Sequence, residues 1–358
     1  MADVRPCFAL PVSRDYPSED LFLGCNNSSC ESGIDMRWWL FEASAVGCKN
    51  CLSFGQFSKR HFGSDVPIVV TMAMMSLLSI VANALLIYAI VTTKIFGYAY
   101  GRLIVYRSVV ETIDSVIVLT FFSPYVLFGL HVSDVANIAL TGAYTFGMSA
   151  AYIAHLFISA NRMFAVYFPV FSSANNNQKY TFCMLTATTV LALIPTSIPF
   201  FYKCSQFTFS PHHYDIIPVG CQSSRDYDPE TTKFLLRIVI SFWGFCTFAA
   251  LAVDLVTLTK IFLYTAVFKG AQKPINYIQN IRFFLQSFIL NIVVCAGVVA
   301  THVLKENFET QFVRFWFSQF QVMLGFLLNG LVPLLFNKAL RNFWRKRKVS
   351  NVVVIKKR

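Results

Sequence analysis

Charged side chains are scarce in this chain of 358 residues, because only 13% of them are Asp, Glu, Lys or Arg. Soluble globular proteins carry roughly 25% charged residues. Apolar residues make up 56% of the chain, and Phe alone occurs 37 times. So few charges cannot cover a water-soluble fold, and the composition excludes an ordinary cytosolic enzyme, a disordered chain and a collagen-like fibre. We therefore expect the solvent of most of the chain to be lipid.

Motifs of enzymes and metal proteins are also absent from the sequence. It contains no nucleophile elbow, no phosphate-binding loop and no His-Glu-x-x-His pair, so we predict that the protein is not an enzyme and needs no cofactor. Cys48 and Cys51 have the spacing of metal ligands. No second pair of ligands accompanies them, so we predict no metal site.

Seven stretches are apolar enough to cross a bilayer, which takes about 20 residues of helix. The predicted spans are 66–93, 103–130, 135–160, 180–202, 234–259, 283–304 and 312–336. The sequence thus predicts an all-α membrane protein with a seven-helix bundle over 66–336, an N-terminal segment 1–65 and a basic tail 337–358. The seventh span has no Lys, which excludes a retinal Schiff base.

The distribution of charge predicts the orientation of the chain in the membrane. If the N-terminus is outside, the inner loops and the tail together hold 17 Lys and Arg residues and no Asp or Glu. The outer segments then hold 11 basic and 15 acidic residues. Because inner loops are enriched in basic residues, this asymmetry predicts a cytoplasmic C-terminus. The net charge of +12 then reflects topology and contact with anionic lipid, and we predict no nucleic-acid partner.

The outer segments carry the expected modification sites. No cleavable signal peptide is recognisable, so we expect the first span to act as its own insertion signal. Asn26 and Asn27 lie in overlapping glycosylation sequons. Seven of the ten cysteines fall in outer segments, where disulfides persist. Cys204 and Cys221 share one loop and are the favoured pair, although the sequence leaves the connectivity open.

The ends of two predicted spans resemble known receptor motifs. The run from Asn161 to Pro169 reads Asn-Arg-Met-Phe-Ala-Val-Tyr-Phe-Pro. It resembles the Asp-Arg-Tyr-x-Ala-Val/Ile-x-x-Pro motif that ends helix three of G-protein-coupled receptors, with Asn161 in place of the acid. The run from Asn329 to Pro333 resembles their Asn-Pro-x-x-Tyr stretch, with Gly330 in place of the Pro. The resemblance implies a short amphipathic cytoplasmic helix after the last span.

Within that superfamily, the chain resembles the nematode serpentine chemoreceptors of class x (Srx) over about residues 66–347. The likeness lies in the Asn-Arg…Pro run, the Cys204 and Cys221 spacing, the Asp-Leu-Val-Thr-Leu-Thr-Lys run at 254–260, and Phe-Asn-Lys at 336–338. It implies a receptor that binds an external small molecule and activates a heterotrimeric G protein. It also implies the plasma membrane, with the ciliary membrane of sensory neurons as one location.

The resemblance places a switch for G-protein coupling at the inner end of the bundle. Arg162 would hold the inactive bundle closed and meet the G protein when the bundle opens. Without an acid at position 161, we expect that contact to be weaker or built from other residues. The further residues implied for coupling are Asn161, Pro169, Asp254, Asn329 and Pro333.

Other candidates follow from polar residues inside spans and from depth along a helix. Glu111 and Asp114 share one helix face, and we expect them to point into the bundle, with Arg107 as a partner of Glu111. Asn83 resembles the family's helix-one Asn. The outer ends of spans predict a ligand pocket near Tyr144, Phe146, His302, Phe312 and Trp316.

A channel or transporter is the alternative function. It would predict a pathway lined by charges, or helices broken near the bilayer centre. Glu111 with Asp114, and the kink expected around Gly330 and Pro333, are the candidate features for it. The halves of the chain show no repeat, which favours the receptor.

Overall fold

The computed structural model describes residues 62–93, 98–129, 132–168, 178–201, 205–211, 213–220, 229–267, 277–300, 311–337 and 340–342. Four predictions lie outside these residues: the glycosylation of Asn26 and Asn27, the pairing of Cys204 with Cys221, and the roles of Pro169 and His302. The short cytoplasmic helix falls there too, apart from the helical residues 340–342.

The described elements are helices joined in sequence order, with one β-hairpin. The helices are α1 (Phe62–Thr93), α2 (Tyr98–Ile117), α3 (Ser123–Phe128), α4 (Asp134–Tyr167), α5 (Gln178–Phe201), α6 (Pro229–Val267), α7 (Tyr277–Val299), α8 (Gln311–Phe317) and α9 (Gln319–Phe336). A π-helix over Val118–Phe122 joins α2 to α3. The hairpin consists of β1 (Ser205–Ser210) and β2 (Asp215–Gly220).

Five segments are long and apolar enough to cross a membrane by length and composition. Within the described residues they are Asp65–Thr93, Ala99–Phe128, Gln178–Pro199, Phe234–Leu263 and Phe312–Phe336. A shorter apolar segment, Phe288–Val299, lies in α7. These segments overlap six of the seven predicted spans, and the third predicted span corresponds to α4, which is not among them.

Helix α4 is not among these apolar segments, and a polar stripe runs along its buried face. The stripe recurs at helical spacing and comprises Asn137, Thr141, Thr145, Ser149, His155 and Ser159, all of them buried. At 34 residues, α4 is still long enough to span a bilayer. It packs against α2, α5, α6 and β1, so its polar groups find partners inside the bundle.

The surface of the bundle is apolar where a soluble protein would be polar. On α1, Val70, Met74 and Val81 are about half exposed. On the same helix, Ser79 and Asn83 are completely buried. Polar groups inside and apolar groups outside fit a helix that faces lipid on one side and a protein interior on the other. The protein is therefore a multi-pass helical membrane protein.

The hairpin lies over one end of the bundle, called here the hairpin end. Its strands pair antiparallel from Ser205 opposite Gly220 to Ser210 opposite Asp215. Phe209 is buried and stacks on Phe122 with ring centroids 4.1 Å apart. The hairpin therefore extends the hydrophobic core beyond the helices, and it was not foreseen from the sequence.

Two irregularities interrupt the predicted spans. In the π-helix, the amide and the hydroxyl of Ser123 both donate to the carbonyl oxygen of Val118, the hydroxyl at 2.8 Å. At Ser318 the backbone leaves the helical region, which divides the seventh predicted span into α8 and α9. The Ser318 hydroxyl donates to the Arg314 carbonyl oxygen at 2.9 Å. Both serines thus bond to carbonyl groups at the points where the helix is irregular.

Candidate functional site

Arg162 lies near the end of α4, at the end of the bundle opposite the hairpin. Its Nη2 donates to the hydroxyl of Tyr100 on α2. Its guanidinium lies 5.0 Å from the centre of the Tyr100 ring and 5.8 Å from that of Phe284 on α7. Such cation–π contacts are worth about 0.5–2 kcal/mol each. Arg162 therefore connects α4 to two other helices through aromatic rings.

These contacts bear on the missing acid of the motif. Asn161 is half buried beside Arg162 and carries no charge to pair with it. The partners of the arginine come from α2 and α7 instead of from its neighbour in the chain. The expectation that the contact is built from other residues agrees with this geometry, and its role in signalling stays a prediction.

A second polar group, the central cluster, consists of Arg107, Glu111, His155 and Asn329 and joins α2, α4 and α9. The side-chain amide of Asn329 donates to Oε1 of Glu111 at 2.6 Å and lies 3.0 Å from Nε2 of His155. All four residues are buried. Polar side chains from three helices thus meet inside the bundle, where a polar group without a hydrogen bond is costly.

Arg107 balances the charge of Glu111, as expected from their spacing of four residues. Its Nε lies 3.6 Å from Oε1 of Glu111. Its Nη2 donates to the carbonyl oxygen of Asn329 at 3.3 Å, and its Nη1 lies 3.5 Å from Nδ1 of His155. The guanidinium is therefore anchored to the other three members of the central cluster.

Asp114, the second acid of the predicted pair, is buried against α4. A Cβ atom built on Gly147 would lie 2.0 Å from Oδ1 of Asp114, so any other residue here would force this carboxylate to move. Its two carboxylate oxygens have no hydrogen-bond partner among the described residues. The prediction that both acids point into the bundle agrees with their complete burial.

Asn83 ties α1 to α9. Its side-chain amide donates to the carbonyl oxygen of Phe326 at 3.1 Å and to that of Ser79 at 3.1 Å. The Ser79 hydroxyl in turn accepts a hydrogen bond from Ser115 of α2 at 2.9 Å. The position resembling the family's helix-one Asn therefore has an interhelical contact.

Asp254 anchors a third polar group, which joins α4, α6 and α7. Asn291 donates to Oδ2 of Asp254 at 2.7 Å and to the hydroxyl of Ser159 at 3.3 Å. All three residues are buried. Asn291 of α7 thus bonds to α4 and to α6 at the same point.

A cavity opens between α4, α6, α7 and α9 and extends from the hairpin to the central cluster. Its volume, counted as the space open to the centre of a water molecule, is about 110 Å³. A single water needs roughly 10–15 Å³ on this measure, so the cavity has room for a small organic molecule. Glu111, His155 and Asn329 line its inner end, which is called here the cavity floor.

The hairpin covers the other end of this cavity. Phe207 of β1 and Asp215 and Ile216 of β2 line the cavity at the hairpin end. Asn137 of α4 holds β1, because its amide group donates to the Phe209 carbonyl oxygen and accepts from the Phe209 amide, both at 3.1 Å. Such paired bonds to one residue fix the position of the strand on the helix.

The structure describes four of the five residues predicted to form a ligand pocket, and they lie in different surroundings. Tyr144 is completely buried and donates to Oε1 of Gln319, a residue that lines the cavity. Phe146 packs with a different cluster, towards α2 and α5. Phe312 and Trp316 contact each other at 6.0 Å between ring centroids, and Phe312 is 47% exposed. Among the described residues that line the cavity, none of these four appears.

Several residues of the site were missed in the sequence. They include Trp243, Asn291 and Gln319, which lie within apolar helices. Asn137, near the start of the third predicted span, was also missed. An Asn or Gln within an apolar run was a usable signal, because a polar group in lipid is expensive. The role of Trp243, whose indole donates to Ser149 at 2.9 Å, had no signal of its own in a chain rich in aromatic residues.

The apolar exterior, the buried polar clusters and the covered cavity define a helical membrane protein with an internal cavity. Residues 74–337 match the family model described as serpentine type 7TM GPCR chemoreceptor Srx. Because this match covers well over half of the chain, the protein belongs to the Srx family of G-protein-coupled chemoreceptors. Among curated proteins, none matches it.

Proposed function

We propose that this protein is a chemosensory receptor that binds an external small molecule in the cavity and activates a heterotrimeric G protein. The observation that carries the proposal is the cavity itself, which ends on buried polar groups contacting three helices. Membership of the Srx family supports a role in chemoreception. The chain would cross the plasma membrane seven times, with segment 1–65 outside and the basic tail in the cytoplasm.

Helix α4 gives the cavity a physical route to the coupling end. His155 at the cavity floor and Arg162 are seven residues apart on this helix, or roughly 10 Å along its axis. A ligand can shift a bundle between two packings only by binding one of them more tightly. Contacts at the floor would do this by altering how α2, α4 and α9 meet. Of the residues implied for coupling, Asn329 and Pro333 belong to α9 and Asp254 belongs to α6.

Replacement of Arg162 tests the coupling step. Arg162→Ala removes the contacts with Tyr100 and Phe284 and the charge offered to the G protein, so we expect ligand-dependent nucleotide exchange to be lost. Surface expression should remain, because the residue is only half buried. Exchange on a reconstituted G protein and flow cytometry of an N-terminal epitope measure the two quantities.

The matched control is Arg102→Ala, which removes the same charge from an exposed position of α2. We expect exchange in this variant to stay near the wild-type level. Normal exchange in Arg162→Ala would remove Arg162 from the mechanism. Ligand-gated current without exchange would contradict the receptor and favour the channel.

A further inference from the structure

The walls of the cavity are apolar. On α6, α7 and α9 they include Val239, Ile240, Val294, Val298 and Phe326. Tyr152 and Trp243 add two aromatic rings whose centroids are 5.9 Å apart. Such walls favour an occupant whose body is apolar, since burial removes both surfaces from water.

Two hydrogen-bond acceptors at the cavity floor have no donor among the described residues. Oε1 of Glu111 accepts from Asn329, but Oε2 of Glu111 has no hydrogen-bond partner among the described residues. The same holds for Oδ1 of Asn329. Glu111 and Asn329 are at most 3% exposed, and both line the cavity. Buried acceptors are nearly always bonded, so these two oxygens can each take a donor from a molecule in the cavity.

The charges around the floor favour a donor that is positively charged. Arg107 compensates one carboxylate, that of Glu111. Asp114 lies three residues further along the same helix and adds a second buried carboxylate. Of these acids, Glu111 lines the cavity, and its Oε2 has no hydrogen-bond partner among the described residues. A charge-assisted hydrogen bond in such surroundings is stronger than a bond between neutral groups.

We propose that the cavity binds a small organic amine, whose protonated amino group donates to Glu111 Oε2 and Asn329 Oδ1 at the floor. The proposal rests on the cavity being the ligand site of the receptor. Gln319 at the hairpin end and Asn329 are ten residues apart along the helical run, or roughly 15 Å. A linear alkylamine such as hexylamine is shorter than this distance, so it can lie within the cavity with its alkyl chain between the apolar walls.

Binding of hexylamine and of n-hexanol to the purified full chain in lipid nanodiscs tests this proposal. The two probes share one alkyl chain and differ in the charge of the donor. We expect hexylamine to bind at least about tenfold more tightly than n-hexanol, measured by isothermal titration calorimetry and by the rise in Tm. Glu111→Gln should weaken hexylamine binding at least about tenfold and n-hexanol binding much less.

A second variant keeps the test decisive if Glu111→Gln does not fold. Gly325 lines the cavity, and a Cβ built on it would lie 4.0 Å from Val294 Cγ2. Gly325→Leu would fill this space, so it should abolish binding of both probes. Retained binding in this variant would place the site elsewhere and overturn the proposal.

Two further outcomes would also overturn it. One is equal affinity for the amine and the alcohol, since the floor would then not select a charged donor. The other is a rise in Tm with sodium chloride, compared with choline chloride, while hexylamine has no effect, because the floor would then take an inorganic cation. Loss of the hexylamine response in Glu111→Gln, with the alcohol response kept, supports the amine.

The binding assay contains no G protein, so the two proposals can fail separately. Hexylamine binding that depends on Glu111, without nucleotide exchange, would support the amine site and contradict coupling. Exchange stimulated by uncharged molecules, with no binding of hexylamine, would support the receptor and contradict the amine site.

Discussion

Gly330 lies where α9 crosses α1, and the two backbones approach closely there. A Cβ atom at this position would be 2.9 Å from the carbonyl carbon of Ala82 and from the amide nitrogen of Asn83. Backbone atoms cannot move aside as the end of a side chain can. The position where the receptor motif has Pro therefore holds a residue without a side chain, because a Pro would also bring a Cβ into this contact.

We expect Gly330→Ala to lower the stability of the bundle by about 1–3 kcal/mol, because the added methyl group forces α9 away from α1. Thermal unfolding of the purified protein in detergent measures the change as a fall in Tm. The control is Gly142→Ala on α4, where the added Cβ would have no neighbour within 4 Å. This change should be neutral or stabilising, by up to about 1 kcal/mol, since Ala favours a helix over Gly. Equal Tm values for both variants would contradict the close approach.

Buried polar side chains connect helices α4, α6 and α7. Asn291 bridges Asp254 and Ser159. Leu258, Ile261 and Phe284 form an apolar cluster between the same helices. In lipid, where apolar groups gain little by leaving their solvent, interhelical hydrogen bonds and close packing are what join helices, so we expect Asn291 to contribute to how α6 and α7 pack.

Asn291→Leu should destabilise the bundle by about 1–3 kcal/mol, since Asp254 keeps its burial and loses its donor at 2.7 Å. The double variant Asp254→Leu with Asn291→Leu removes the buried carboxylate as well. We expect it to be more stable than the sum of the two single changes predicts, because the carboxylate and its donor are removed together. Unfolding of the four proteins of this cycle gives the coupling energy, and strict additivity would argue against the contact.

The elements follow from the sequence to different degrees. Apolar runs predicted the positions of the long helices, because length and hydropathy are local properties. Their ends were less predictable: α6 runs from Pro229 to Val267, beyond the predicted span 234–259, because a helix continues into polar residues at a membrane surface. The hairpin was missed because Pro218 lies in its second strand and proline disfavours a strand.

The same distinction holds for the candidate site. The pairing of Arg107 with Glu111 was predicted, because residues four apart on a helix are neighbours whatever the fold. The contacts of Arg162 with Tyr100 and of Asn329 with Glu111 join distant parts of the chain, and only the packing of the bundle brings them together. Depth along a helix placed Tyr144 near the cavity but gave no information on which face it occupies.

The whole molecule has two chemically different ends. The hairpin and the cavity lie at one end of α4, and Arg162 lies at the other. Segments 94–102, 162–179, 260–282 and 337–358 together hold 17 Lys and Arg residues and no Asp or Glu. Because translocation of basic loops is disfavoured, the charge pattern predicts that the hairpin end faces outwards.

An epitope at residue 2 tests this orientation in intact cells. We expect an antibody to reach it without permeabilisation, whereas an epitope after residue 358 should need permeabilisation. Glycosidase treatment should lower the apparent mass of the wild-type protein, and the double change Asn26→Gln with Asn27→Gln should remove that difference. An N-terminal epitope detected only after permeabilisation would reverse the orientation.

The π-helix over Val118–Phe122 behaves as a one-residue insertion in an otherwise regular helix. One additional residue rotates the following side chains by roughly 100° relative to an uninterrupted α-helix. This rotation brings Phe122 against Phe209, while Phe121 stacks on Tyr125 at 5.8 Å. Loss of one residue between Val118 and Thr120 would therefore let a regular α-helix bring the same two rings to the same places, so the contact with β1 depends on the number of residues in this stretch as well as on their identity.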